Sequence, residues 1–476
     1  MSTDSALTRL SASELARSIR TGDTTATAAA ETHLDRIDEL DDEINAFVTV
    51  CREEALAAAA EADRAIVRDD DVGPLHGVPV AIKDLLAFKE GLRHTYGSAL
   101  FSDHVATETS TIVERLESAG AIVIGKTNTP ELGHKGTTDN AVIGPTASPI
   151  DTDCNAGGSS GGSAAALAAR MAPIATGSDA GGSLRIPAAA CGVYGFKPTF
   201  GLVPDSDGSS VFGRETHHVT KGPMARTVED AALLLSVMAG PDPGDPASVP
   251  VEIDYLGAVD RSIEGYRIAY SPDLEIFPVT DSVTGVVEDA LGAFEDAGAT
   301  VEPVTLDHGY AMADLQEAVM ATFTTSVLET VTLMEEAHGV DFRANAERVS
   351  DSLLAMIHVG ERYGPVDVAR SGVVRTELFD AVQDVLGEYD LLVTPTLSRV
   401  GIELHADLGS TAWEWPMTWP FNWTGHPVAS APVGLTDEGH PVGLQLVGPR
   451  FGDDDVLSAS AALERERPWG DLYAEP

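Results

Sequence analysis

The chain has 476 residues, enough for a large core, and 43% of them are hydrophobic. Asp and Glu number 75 against 30 Lys and Arg, which gives a formal net charge of −45, and only six of the residues are lysines. The electric field of so negative a protein repels nucleic-acid phosphates and anionic membranes, so we do not expect direct binding to either. Acidic, lysine-poor surfaces keep a protein soluble in concentrated salt, and we expect a halophilic host.

The N-terminal segment lacks the basic stretch and apolar stretch of a secretory signal. No apolar run approaches the roughly 18 residues of a membrane span, so we expect a cytoplasmic protein. Cys51, Cys154 and Cys191 form neither a disulfide framework nor a metal-ligand spacing. The adjacent His217 and His218 have no third ligand at a recognisable spacing. We therefore expect no metal and no cofactor.

Residues 5–66 follow a helical pattern, and beyond them short apolar runs alternate with helical stretches. The predicted strands cover residues 78–82, 121–125, 172–176, 266–270 and 390–394. Residues 240–250 form an acidic loop, and residues 311–388 are mostly helical by pattern. This alternation predicts an α/β fold with one large domain over residues 1–476. Its core is a mixed β-sheet flanked by helices on both faces.

The most informative segment covers residues 155–192, where two glycine-flanked turns carry Ser159 and Ser183. An alanine-rich helix and a short strand are predicted between the turns, which argues against a flexible linker. A phosphate-binding loop would end in Gly-Lys-Ser or Gly-Lys-Thr, and no lysine lies between Lys135 and Lys197. The pattern favours nucleophilic acyl transfer, with a serine nucleophile and glycine N–H groups as the oxyanion hole.

Two serines are candidate nucleophiles. Ser159 fits a G-x-S-x-G elbow, but that elbow needs a hydrophobic strand before it, and we expect no strand at residues 151–155. Ser183 follows a predicted strand and a turn. The base is either one of the 13 histidines, the usual choice, or Lys83, where burial at the end of an apolar run lowers the pKa. The residues alone leave Lys83 equally consistent with an ordinary strand-end lysine.

These residues also resemble the amidase signature family. The run GGSSGGSAAALAA is followed, 24 residues after Ser159, by Ser183 in SDAGGSLRIPA, and other segments match in the same order from about residue 10 to 465. Those segments are LHGVPVAIKDLL, GKTNTPELG, TTDNAVIGPT, YGFKPTFGLVP, GPMARTVEDAALLL and PVGLQLVGPRFGD. The resemblance implies a signature core at residues 75–235, with the helical segment 311–388 as a cap-like substrate region.

The resemblance implies a Ser–cis-Ser–Lys triad. Ser183 would be the nucleophile, Ser159 the relay after a cis peptide bond, and Lys83 the base. Asp179 and Arg185 would hold the turn around the nucleophile. The residues that would bind substrate, as the oxyanion hole and the pocket, are Gly133, Ala180, Gly181, Gly182 and Ser183.

The implied activity is hydrolysis of a carboxylic acid amide to a carboxylate and ammonia or an amine, through a covalent acyl-enzyme. The alternative within the family is the A subunit of the glutamine-dependent tRNA amidotransferase. Its tyrosine- and serine-rich stretch after the KPT motif is absent here, and the tryptophan-rich residues 413–423 resemble stand-alone amidases. Those tryptophans either line a pocket or pack in the core. The expected partner is a small-molecule amide, and a homodimer is left open.

Overall fold

The computed structural model describes residues 6–207, 218–408 and 412–473. These residues contain 14 α-helices and 13 β-strands. The helices are α1 Ala12–Thr21, α2 Ala26–Ile44, α3 Arg52–Val67, α4 Thr111–Ser118, α5 Gly161–Ala168, α6 Arg185–Cys191, α7 Val228–Met238, α8 Tyr255–Val259, α9 Asp281–Asp296, α10 Met312–His338, α11 Asp351–Gly360, α12 Pro365–Leu386, α13 Trp419–Thr424 and α14 Asp453–Glu466. The strands are β1 Phe47–Val50, β2 Pro79–Lys83, β3 Ile122–Thr127, β4 Ala147–Ser148, β5 Asp151–Asn155, β6 Ile174–Asp179, β7 Tyr194–Lys197, β8 Thr220–Ala225, β9 Arg267–Tyr270, β10 Thr300–Pro303, β11 Leu391–Pro395, β12 Val428–Leu435 and β13 Pro441–Val447.

Eleven strands form one mixed sheet in the order β1-β3-β2-β6-β8-β7-β12-β13-β11-β9-β10. Two parallel groups, β3-β2-β6 and β11-β9-β10, lie on either side of the antiparallel strands β8-β7-β12-β13. The five strands predicted from the sequence overlap β2, β3, β6, β9 and β11. The predicted α/β fold with a mixed sheet is therefore confirmed.

Helices cover both faces of this sheet, as predicted. On β11, Leu391 and Val393 belong to one core cluster, whereas Leu392 between them belongs to another. Neighbouring residues of a strand point to opposite faces, so the two clusters lie on opposite sides of the sheet. The first cluster includes residues of α2, α5, α7, α9 and α14. The second includes residues of α10, α12 and α13.

Two local predictions are wrong. Residues 5–66 are not helical throughout, because Phe47–Val50 form β1, which pairs antiparallel with β3. A strand also exists at residues 151–155, where none was expected: β5 lies outside the central sheet and pairs with β4. The main chain of β5 is also bonded to residues 402 and 404. Both strands depend on partners that a local hydrophobic pattern does not reveal.

The fold brings the glycine-serine turns to the end of β2. Strands β2 and β6 are parallel neighbours, so their carboxyl ends meet at one edge of the sheet. Lys83 is the last residue of β2, and Ser178 and Asp179 end β6. The turn carrying Ser159 leads into α5, and the turn carrying Ser183 leads into α6. In the described part of the chain, no helix is both long enough and apolar enough to cross a bilayer.

Candidate active site

Lys83 lies at the centre of the predicted triad. Its side chain is 1% exposed, and its Nζ donates to Ser159 Oγ at 2.7 Å and to Ser178 Oγ at 3.0 Å. Burial lowers the pKa of Lys83 to about 7, although the nearby Asp179 carboxylate acts in the opposite direction. A neutral amine, able to accept a proton, is therefore accessible near neutral pH.

Ser159 is held in the turn before α5. The Gly158–Ser159 peptide bond is cis, as the resemblance implies, and Ser159 is buried. Gly133 packs against the hydroxyl: a Cβ at this glycine would lie 3.2 Å from Ser159 Oγ and 2.7 Å from a methyl group of Leu85. Gly133 also has a positive φ of 68°, so both space and backbone conformation favour glycine there.

Ser183 lies on the neighbouring turn and faces the same cavity as Ser159. Its carbonyl oxygen accepts the N–H of Ser160 at 3.1 Å, which ties the two turns together. Within the described residues, no hydrogen bond joins the Ser159 and Ser183 hydroxyls. Catalytic hydrogen bonds are often long without substrate and tighten in the complex. The structure thus brings Lys83, Ser159 and Ser183 together, with the lysine–serine contact already formed.

The turn around Ser183 offers several backbone N–H groups to a ligand. In the described part of the chain, the N–H groups of Ala180, Gly181 and Ser183 have no hydrogen-bond acceptor. Gly182 differs, because its N–H is bonded to Asp179 Oδ1 at 2.5 Å. This corrects the expectation that all four N–H groups point to an oxyanion, since the N–H of Gly182 stabilises the turn instead.

A buried ion pair fixes this turn. Asp179 accepts the N–H groups of Gly182 and Leu184, and Arg185 donates to the same carboxylate at 2.9 and 3.2 Å. Burial raises the pKa of Asp179, but the charge and hydrogen bonds of Arg185 outweigh that effect and hold the pKa below its ordinary value. The turn therefore folds around a carboxylate that stays ionised.

Residues of the C-terminal third complete the support. Thr418 Oγ1 donates to the Gly181 carbonyl at 2.6 Å. Asn422 donates to the side chain and backbone oxygens of Asp179 at 2.8 and 3.1 Å, and Gln445 Oε1 accepts from Arg185 at 2.8 Å. Sequence reasoning missed the structural role of these residues, and it also missed Ser178. Only Ser178 had a usable signal, as a polar residue at the end of a strand beside β2.

A cavity of about 590 Å³ opens over Ser159 and Ser183. Its walls come from the loop after β2, the turn around Gly133 and one side of α10, and most of the lining surface is apolar. The apolar wall residues include Leu85, Leu86, Phe88, Phe323, Val327, Leu333 and Met334. The site can therefore place an apolar group next to a serine hydroxyl and a row of N–H donors.

The tryptophan cluster belongs mainly to the core. Trp415, Trp419 and Trp423 pack in hydrophobic clusters, and in the described chain none of them lines the cavity. Trp413 contacts the wall residue Phe323, with ring centroids 4.7 Å apart. This cluster supports the cavity wall from behind.

The histidines do not take the position of the base. His134, His218, His104 and His338 line the cavity, but none has a hydrogen bond to Ser159 or Ser183 among the described residues. His134 instead contacts Ser352 through Nε2 at 2.7 Å. The other member of the histidine pair, residue 217, lies outside the described residues.

Comparisons with known proteins match nearly the whole chain. A protein-family model described as Amidase matches residues 28–457. An acylamidase from Rhodococcus erythropolis is 38% identical over 472 residues, covering 97% of this chain and 96% of that protein. The A subunit of the glutamyl-tRNA(Gln) amidotransferase from Carboxydothermus hydrogenoformans is 35% identical over 477 residues, covering 96% of this chain and 97% of that protein.

Among solved structures, a bacterial aryl acylamidase of the amidase signature family is 33% identical, with a TM-score of 0.93. The match covers 98% of this chain and 99% of that one. Fold and matches together define a hydrolase of the amidase class. The chain belongs to the amidase signature family.

Proposed function

We propose that this protein is a stand-alone amidase that hydrolyses amides carrying an apolar aryl or alkyl group. The observation that carries this proposal is the apolar cavity of about 590 Å³ over Ser183, beside a lysine that hydrogen-bonds the neighbouring serine. The acylamidase relatives support the same class of substrate. The products are a carboxylate and an amine or ammonia.

In the proposed mechanism, neutral Lys83 accepts the hydroxyl proton of Ser159 as Ser159 accepts that of Ser183. Ser183 Oγ attacks the amide carbonyl carbon, and the N–H groups of Ala180, Gly181 and Ser183 bind the oxyanion that forms. The C–N bond then breaks while the relayed proton passes to the leaving nitrogen. Water, deprotonated through the same relay, hydrolyses the acyl-enzyme and regenerates Ser183.

Residues 311–388 are proposed to shape the substrate pocket. Helix α10 in this segment supplies an apolar wall through Phe323, Val327, Leu333 and Met334. An aryl or alkyl group packed there would bury apolar surface, which contributes about 25 cal/mol per Å². The wall therefore favours substrates with at least one sizeable apolar group.

The alternative is glutamine hydrolysis as the A subunit of a tRNA amidotransferase, and the match to such subunits supports it. Glutamine brings an ammonium and a carboxylate into the site. The lining on α10 is mainly apolar, although Glu329 on this helix and Glu108 also face the cavity. Lys221, the lysine of the lining that could face the carboxylate of glutamine, is paired with Asp205 and Asp207. A net charge of −45 also disfavours direct contact with tRNA. We therefore favour the stand-alone enzyme.

The test uses purified protein in molar KCl without ATP, tRNA or other subunits. Release of amine or ammonia is measured over a panel of aryl amides, alkyl amides and glutamine. We expect turnover of apolar amides and none of glutamine. Turnover of glutamine only after partner subunits are added, with every other amide inert, would overturn the proposal.

A trapping experiment tests the covalent step. Hydroxylamine should compete with water and yield a hydroxamate, because both attack the same acyl-enzyme. Mass spectrometry of a quenched reaction should place the acyl group on the peptide that contains Ser183. Acylation of Ser159 instead would assign the nucleophile to the other turn. The Ser183→Ala variant should remain folded and form no acyl adduct.

A further inference from the structure

A second cluster of ligating side chains lies away from the substrate cavity. Asp151 and Cys154 belong to β5, and His440 lies in the turn between β12 and β13, 286 residues after Cys154. One ligand atom from each residue lies within 4.8 Å of the other two, and all three residues are partly exposed. None of them lines the cavity over Ser183.

The distances in this cluster are close to those of a tetrahedral metal site. Zinc bonds to oxygen, nitrogen and sulfur of about 2.0–2.3 Å place neighbouring ligand atoms about 3.3–3.6 Å apart. Cys154 Sγ lies 3.3 Å from Asp151 Oδ2, and His440 Nδ1 lies 3.6 Å from the same oxygen. Two of the three distances between ligand atoms thus fit a tetrahedral site, and the third, from sulfur to nitrogen, is no longer than 4.8 Å.

The surroundings orient these ligands toward a shared point. Asp151 Oδ1 accepts the N–H of Asp153 at 3.1 Å, which leaves Oδ2 facing the other two ligands. A Cβ at Gly401 would lie 2.6 Å from His440 Nε2, so this glycine leaves room for the imidazole. A cavity of about 20 Å³, bounded by all three ligands, has the size needed for a single water or ion.

The charge around the site favours a cation. The carboxylates of Asp151, Asp153 and Glu403 are the groups that act electrostatically on the Cys154 thiol. Sulfur, imidazole nitrogen and carboxylate oxygen together form a donor set typical of zinc, whereas magnesium and calcium prefer oxygen alone.

We propose that Asp151, Cys154 and His440 bind one divalent ion of the zinc class, with water as the fourth ligand. The thiol proton is released to solvent as the sulfur binds the ion. The ion would fasten β5 to the turn between β12 and β13. Strand β5 leads through Asn155, whose Oδ1 accepts the N–H of Gly157 at 3.0 Å, into the turn that carries Ser159. The site is therefore structural, and the ion takes no part in the acyl transfer.

Cobalt titration of the metal-free protein tests the site. One equivalent of Co²⁺ should produce the visible bands of a tetrahedral ion and a near-ultraviolet thiolate-to-cobalt band. Loss of outer partners already weakens metal sites about 10–100-fold, so Cys154→Ala and His440→Ala should weaken binding by about 100-fold or more. His358→Ala is the matched control, because His358 is 83% exposed and lies elsewhere; its titration should match the wild type.

A second measurement needs no substitution. Cys51 and Cys191 are buried, whereas Cys154 is partly exposed, so iodoacetamide should label mainly Cys154. Zn²⁺ should slow this labelling by at least about tenfold, because the bound thiolate is no longer free to react. Binding without a thiolate band, a band that survives His440→Ala, or labelling unaffected by Zn²⁺ would each overturn the site. An Asp151–His440 ion pair alone would then explain the geometry.

Discussion

Replacing Lys83 with methionine should abolish amide hydrolysis and also make the folded protein more stable at neutral pH. Lys83 is 1% exposed, and burial lowers its pKa from 10.5 to about 7. Each pH unit of such a difference corresponds to about 1.4 kcal/mol, so burying this amine costs about 4–5 kcal/mol at and below pH 7. Methionine has a similar length and no charge to bury.

Part of the stability gained by removing the buried amine is offset by lost hydrogen bonds. The variant leaves the Ser159 and Ser178 hydroxyls without their lysine donor, at about 1 kcal/mol each, so the net gain near pH 7 is about 2–3 kcal/mol. Between pH 7 and 10.5 the unfolded wild-type chain binds more protons than the folded chain at this residue, so this contribution to stability rises with pH. The stability advantage of the variant should therefore be largest at or below pH 7 and shrink toward pH 10.

Urea unfolding in molar KCl from pH 6 to 9.5, followed by circular dichroism, measures this difference. Hydrolysis of an aryl amide by the same samples should fall by at least about 10³-fold in the variant. In the wild type, kcat/KM should rise about tenfold per pH unit below pH 7 and level off above it. Lys135→Met is the control, because Lys135 is partly exposed and paired with Asp139. The role of Lys83 as base would be refuted if Lys83→Met were less stable than the wild type and its stability varied with pH as that of the wild type does. The Lys83 amine would then be charged in the folded protein at neutral pH and could not act as the base.

The remaining predictions concern the turn and the surface. Gly182→Ala should reduce kcat by about 100-fold or more, because the new Cβ would lie 1.9 Å from Thr418 Oγ1 and displace oxyanion donors. Gly22 also has a positive φ, 79° against 127° at Gly182, but a Cβ there would meet open space, so Gly22→Ala should keep full activity. Thr418→Val removes the bond to the Gly181 carbonyl and should lower kcat about tenfold with little change in KM, unlike Thr376→Val on the exposed face of α12; equal effects would contradict a positioning role. The Tm should be higher in about 2 M KCl than in about 0.1 M KCl, because salt screens the net charge of −45. Equal Tm values at the two concentrations would argue against adaptation to salt.

Much of the site could be predicted because its parts lie in short segments with a strong local signal. Lys83 ends an apolar run that becomes a fully buried strand, and the turns of Ser159 and Ser183 are marked by their glycines. The order of strands in the sheet was not predictable in this way. It depends on pairings such as β2 with β6, whose members are separated by about 90 residues of sequence.

The rest of the site depends on contacts between remote segments. Thr418 and Asn422 reach the turn at residues 179–183 across more than 230 residues of chain, and a single sequence contains no signal for such contacts. The same reason explains why Cys154 was expected to have no metal-binding neighbour, since only the fold brings His440 beside it. Strand β1 was missed because FVTV is short and takes its hydrogen bonds from β3.

The lysines show how composition and fold can be used together. Four of the six are buried within strands of the central sheet, and these are Lys83, Lys126, Lys197 and Lys221. In a chain whose surface is acidic, lysine is almost absent from the exterior, so a lysine inside an apolar segment indicates an interior contact. Lys126 fits this rule, because its Nζ contacts His94 Nδ1 at 2.8 Å and lies 3.5 Å from Asp84. Arginine cannot replace such residues without change, since the guanidinium stays charged whereas a buried amine can become neutral. That difference is what the proposed chemistry at Lys83 requires, and it makes the scarcity of lysine itself a guide to the site.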